Sequence, residues 1–90
     1  MEEEIEEVKK EEVGRVTHFY PKISVAVVEL SGTLRVGDRI LIKGNITNFE
    51  QDVESMQIEH ANIEEANAGQ SIGLKVAQRA REGDIVYKLL

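Results

Sequence analysis

From Val13 onward the chain is written in short runs of apolar, often β-branched residues broken by glycine and polar turns. Alternation with a period near two predicts strands, because successive side chains on a strand point to opposite faces. Residues 14–20 form the first such run, and Pro21 ends it because proline has no N–H to give to a ladder. Residues 23–30 follow, and the unbroken Val25-Ala26-Val27-Val28 predicts a central strand covered on both faces. Ser31-Gly32 marks a turn, residues 34–38 lead into the compact strand 39–43, and Gly44-Asn45 closes it. Thr47 and Phe49 then alternate with Asn48 and Glu50.

Residues 50–60 read as one long strand whose apolar phase slips by a residue between Val53 and Met56. A β-bulge near Ser55 would restore Val53, Met56 and Ile58 to one face and help the sheet turn a corner. Ile63 and Ala66 are spaced for a single helical turn, with Gly69 as its left-handed cap. Two more strands, 71–76 and 85–89, complete the series. The segments Val36-Gly37-Asp38, Ala68-Gly69-Gln70 and Glu82-Gly83-Asp84 share one grammar. In each, glycine supplies a positive φ and the next side chain accepts a hydrogen bond from the turn backbone. Six or seven short strands with so little helix predict an all-β domain, and closure into a barrel removes exposed edges.

Residues 1–12 differ from this texture. They hold seven Glu against Lys9 and Lys10, so they carry −5 of the formal −6, and residues 13–90 carry only −1. The segment reads as a solvated acidic tail, with a short helix placing Ile5 and Val8 on one side as the alternative. The nearly neutral remainder leaves room for a local basic patch. Ninety residues support one core, so the expected organisation is a tail, 1–12, and one domain, 13–90. No cysteine is present, which removes disulfides, thiolate metal sites and a cysteine nucleophile. With no long apolar run and an acidic start, the expected setting is cytoplasmic, with no membrane partner.

Candidate chemistry is sparse. His18 and His60 are far apart in sequence and lack the short ligand spacing of a zinc site. Ser24, Ser55 and Ser71 lie in no GxSxG elbow, so no nucleophile is set up for catalysis. The expectation is a binding module that is no enzyme, with no metal and no cofactor.

The succession Gly14-Arg15-Val16, Leu30 through Ile40, Val53 through Ile58, Ala66-Asn67-Ala68-Gly69-Gln70-Ser71-Ile72-Gly73-Leu74 and Arg81 through Val86 resembles the second domain of elongation factor Tu. Residues 18–27 and 47–60 also look like the small C-terminal barrel of collagenase-like peptidases of the U class, a family tied to RNA hydroxylation. This resemblance implies a small closed antiparallel Greek-key barrel of six or seven strands. It further implies contact with tRNA, rRNA or the ribosome, or docking on a separate enzyme subunit of peptidase-like or RNA-modifying type. The GxxxxGK[ST] phosphate loop of translational GTPases is absent, so nucleotide hydrolysis does not carry over.

Two groups of residues stand out as RNA-binding candidates. Lys75, Arg79 and Arg81, together with Arg35 and Arg39, offer cations suited to phosphate. Nearby acids such as Glu82 and Asp84 offer them ion-pair partners instead. Tyr20 and Lys22 follow His18 and Phe19, an aromatic and basic cluster on which bases could stack. Strand alternation sends one of each adjacent pair inward, so Phe19 is expected in the core and Tyr20 partly exposed.

Overall fold

The computed structural model describes residues 9–90, and the acidic residues before Lys9 lie outside them, as does the question of a helix there. Ten strands and no helix are found among the described residues: β1 (Lys10–Tyr20), β2 (Val25–Leu30), β3 (Leu34–Arg35), β4 (Arg39–Lys43), β5 (Asn48–Asp52), β6 (Met56–Ile58), β7 (Ala61–Ile63), β8 (Glu65–Ala66), β9 (Ser71–Lys75) and β10 (Ile85–Leu89). Among the described residues no helix is therefore long and apolar enough to cross a membrane. Eight strands join in the order β5-β4-β10-β1-β2-β9-β6-β7, and β3 pairs with β8 in a separate two-stranded sheet. Every pairing is antiparallel. The all-β expectation holds, while ten short strands replace the six or seven anticipated.

β1 is the spine of the sheet. It pairs with β10 on one side and β2 on the other, and its register shifts between Glu12 and Gly14 and again between Val16 and His18. Lys10, Glu11 and Glu12 already pair with Leu89, Lys88 and Tyr87, so the strand runs into the acidic segment. These irregularities add local twist, which lets a sheet of eight strands curl around one core. That core is aliphatic: Val16, Val28, Leu34, Ile40, Ile42, Met56, Ile72, Leu74 and Val86 are almost wholly removed from water, with Phe19 packed against them.

Three expectations are corrected. Residues 50–60 are not one bulged strand, because β5 pairs with β4 whereas β6 pairs with β9 and β7. Val53 and Met56 are both buried, as the apolar pattern required, but the chain breaks between them and crosses to another part of the sheet. Residues 63–69 form no helical turn: Ile63 ends β7, Ala66 ends β8, and Asn67 to Gln70 make a β-turn. The paired needs of β6 and of the small sheet override a weak local preference, since a single turn of helix gains little by itself. Finally, β2 is covered on one face only, with Ala26, Val28 and Leu30 buried but Val25 and Val27 half-buried on the outside.

No ladder joins the outer strands β5 and β7 among the described residues. Side chains and loops span the gap. Gln51 on β5 donates from Nε2 to the Lys75 carbonyl at 2.9 Å and accepts from the Ala77 N–H at 2.6 Å. Its carboxamide thus takes the place of a peptide group, holding β5 against the end of β9.

The three repeated turns behave as their sequence implied. Gly37, Gly69 and Gly83 have φ of 100°, 91° and 94°. The following side chains accept from the amide three residues earlier: Asp38 from Arg35 at 2.9 Å, Gln70 from Asn67 at 2.7 Å, and Asp84 from Arg81 at 2.7 Å.

Candidate functional site

The C-terminal end of β1, the turn at residues 21–24 and the loop between β9 and β10 meet at one end of the sheet. Tyr20 is the last residue of β1 and is half exposed, with its ring edge-on to that of His18 at 4.4 Å between centroids. Phe19 turns the other way, onto the core, as alternation predicts. The Arg79 guanidinium lies 5.7 Å from the centre of the Phe19 ring, within the range where a cation is attracted to the aromatic face. Phe19, Pro21, Arg79 and Arg81 line a shallow cleft there.

Lys75, at the end of β9, donates to the Ile23 carbonyl at 3.1 Å and so ties that strand to the turn holding Lys22. Ser24 takes a positive φ of 55° in the same turn, and its carbonyl accepts from the Val76 N–H. Five of the seven candidates, Tyr20, Lys22, Lys75, Arg79 and Arg81, are thereby gathered around one hairpin tip. Among the described residues, no carboxylate lies within ion-pair distance of Lys22, Lys75, Arg79 or Arg81. Glu82 faces His18 at 3.4 Å, and the buried Asp84 carboxylate is committed to its own turn.

Arg35 and Arg39 stand apart from this group. Arg35 pairs with Glu65 at 3.4 Å across the small sheet, and Arg39 lies 3.1 Å from Asp52 and 3.6 Å from Glu50. Exposed pairs of this kind add little stability, but they neutralise the charge a phosphate would need. His60 sits at the turn between β6 and β7, where it and Glu59 both have positive φ. Among the described residues no three His, Asp or Glu side chains gather as a metal site would require.

Ile23 belongs to none of the candidate groups read from the sequence, and Val25 and Val27, expected there to be covered, face outward. Ile23 is 57% exposed and stands beside Lys22 and Lys75. The only trace of this surface in the sequence is the unbroken apolar run at residues 25–28, which by itself reads as a strand covered on both faces.

An antiparallel all-β domain with a cationic and aromatic hairpin end is the class that fold and site define. The family model for elongation factor Tu domain 2 matches residues 23–87, and the chain belongs to that family. It is 49% identical over 82 residues to an uncharacterized protease of Methanocaldococcus jannaschii, covering 90% of this chain and 20% of that protein. It is 34% identical over 82 residues to a collagenase of Porphyromonas gingivalis, covering 89% of this chain and 23% of that one. The chain thus spans about a fifth of the length of the curated relatives it matches. Among solved structures, the C-terminal domain of a Geobacillus thermoleovorans U32 peptidase superimposes with a TM-score of 0.81 at 26% identity, covering 87% of this chain and 91% of that one. Its selenomethionine variant gives 0.80 at 25% identity, covering 84% and 96%.

Proposed function

We propose that this chain is a cytoplasmic, non-catalytic module that docks on a peptidase-like enzyme domain. One observation carries the reading: the chain corresponds to nearly the whole of a domain that stands at the C-terminus of a U32 peptidase, with a TM-score of 0.81. On this reading the chemistry of such larger proteins lies in the remaining four fifths, and this module supplies surface. Mixing the chain with the Methanocaldococcus jannaschii protein lacking its matched 82 residues tests this by isothermal titration calorimetry. Saturable binding in the micromolar range is expected, and no detectable heat or co-elution at the highest soluble concentrations overturns it.

A second reading, contact with RNA or the translation apparatus, is favoured by the convergence of Tyr20, Lys22, Lys75, Arg79 and Arg81 around one tip. It predicts tRNA or rRNA binding that falls steeply with salt, since each cation that neutralises a phosphate releases a counterion. Arg79→Glu with Arg81→Glu should flatten the slope, whereas Arg35→Glu with Arg39→Glu should leave it unchanged, because those two arginines already face carboxylates. An equal effect of both double variants, read by filter binding across a salt series, removes the site assignment.

A further inference from the structure

Residues directly opposite in neighbouring antiparallel strands project to the same face, so the register maps the outer surface of the sheet. One cross-strand row reads His18, Val27, Gly73 and Gln57, and the next reads Tyr20, Val25 and Lys75. Gly73 is the gap in this surface. A Cβ built there would meet Val25 Cγ1 at 3.3 Å, which places the Val25 side chain on the same outer face. With no side chain at Gly73, a groove remains that is lined by Ile23, Val25, Gln57 and Lys75.

Apolar residues on the outward side of a strand are normally matched by something that covers them. Here Val25 and Val27 are half-buried, while Tyr20 and Ile23 are 48% and 57% exposed. Lys75 lines the groove and the exposed Lys22 adjoins Ile23 in the chain, so two cations stand at its edge. Apolar contact at the centre with charge at the edge is the anatomy of a protein interface. A bare phosphate backbone offers no counterpart to the valines.

We infer that this outer face of β2 and β9 is the surface through which the module docks on the peptidase-like domain. The partner inserts a small apolar side chain over Gly73 and presents carboxylates to Lys22 and Lys75. This rests on the docking reading above and adds to it the face and the chemistry of the partner. The partner is chosen because the matched relatives carry about four fifths of their length beyond this module, and because the rim calls for an acidic counterpart.

The test is an amide-resolved NMR titration of the isotope-labelled full chain with the Methanocaldococcus jannaschii protein lacking its matched segment, that probe being checked for folding by circular dichroism. Shift changes centred on Tyr20, Val25, Val27, Gly73 and Gln57 are expected. Tyr20→Ala and Ile23→Ser, both at exposed positions, should each weaken binding about tenfold, and Val36→Ser, on an exposed turn away from the groove, should not. Binding that maps elsewhere overturns the inference and leaves the docking reading intact. No binding overturns both. The same residues shifting with tRNA but not with the protein probe, or with the chain's own concentration, would assign the face to RNA or to a second copy and overturn it as well.

Discussion

Asp84 shows how much a single side chain decides. Its carboxylate is buried, accepts the Arg81 N–H at 2.7 Å, and lies so close to Gly44 that any side chain there would overlap it. Asp38 performs the same turn chemistry at 2.9 Å, but it is partly solvated and has Lys88 3.9 Å away. Removing a buried acceptor strands its donor, whereas water replaces an exposed one. Asp84→Ala should therefore cost about 2 kcal/mol in urea denaturation and Asp38→Ala about 1 kcal/mol. Equal costs would show that burial is not what separates them. The turn grammar around these residues was legible in the sequence, because φ above zero and a short acceptor are local demands. Which of the three turns is buried was not, since burial depends on what packs over it.

At the scale of elements, no ladder joins β5 to β9 among the described residues, and Gln51 fastens that junction. Gln51→Ala removes both the acceptor for the Ala77 N–H and the donor to the Lys75 carbonyl. The expected result is a loss of about 2 kcal/mol and faster hydrogen exchange at the Ala77 amide, with the β1–β2 ladder still protected. Unchanged exchange at Ala77 would mean that the loops alone hold the seam. The phase slip between Val53 and Met56 was visible along the chain, and both residues are in the core. A period of two cannot distinguish a bulge within one strand from a break between two, because the distinction lies in the partners: β4 for β5, and β9 for β6.

For the whole molecule the governing quantity is where the charge lies. Removing residues 1–8 takes away five glutamates and moves the formal charge from −6 to −1. Against tRNA the shortened chain should associate faster at low salt. That advantage should fade toward 1 M salt, where the screening length is about 3 Å. Stopped-flow measurements at several ionic strengths check this, and an advantage that persists at high salt would show the segment acting by contact instead of by its field. The separation of Arg35 and Arg39 from the other candidates belongs to the same scale. In the sequence all five cations of that group look alike, and only the carboxylates brought across the sheets tell them apart.

What the chain's own pattern determined is everything that depends on near neighbours: strands over helices, the positive-φ turns at Gly37, Gly69 and Gly83, Phe19 inward and Tyr20 outward. What the tertiary structure alone decided is which strand lies beside which. That choice gathers Tyr20, Lys22, Lys75, Arg79 and Arg81 at one end, neutralises Arg35 and Arg39, and leaves the outer side of Val25 and Val27 uncovered. The reason is physical: alternation and turn chemistry act over a few residues, whereas pairing and burial join residues tens of positions apart through contacts that exist only once the sheet has formed.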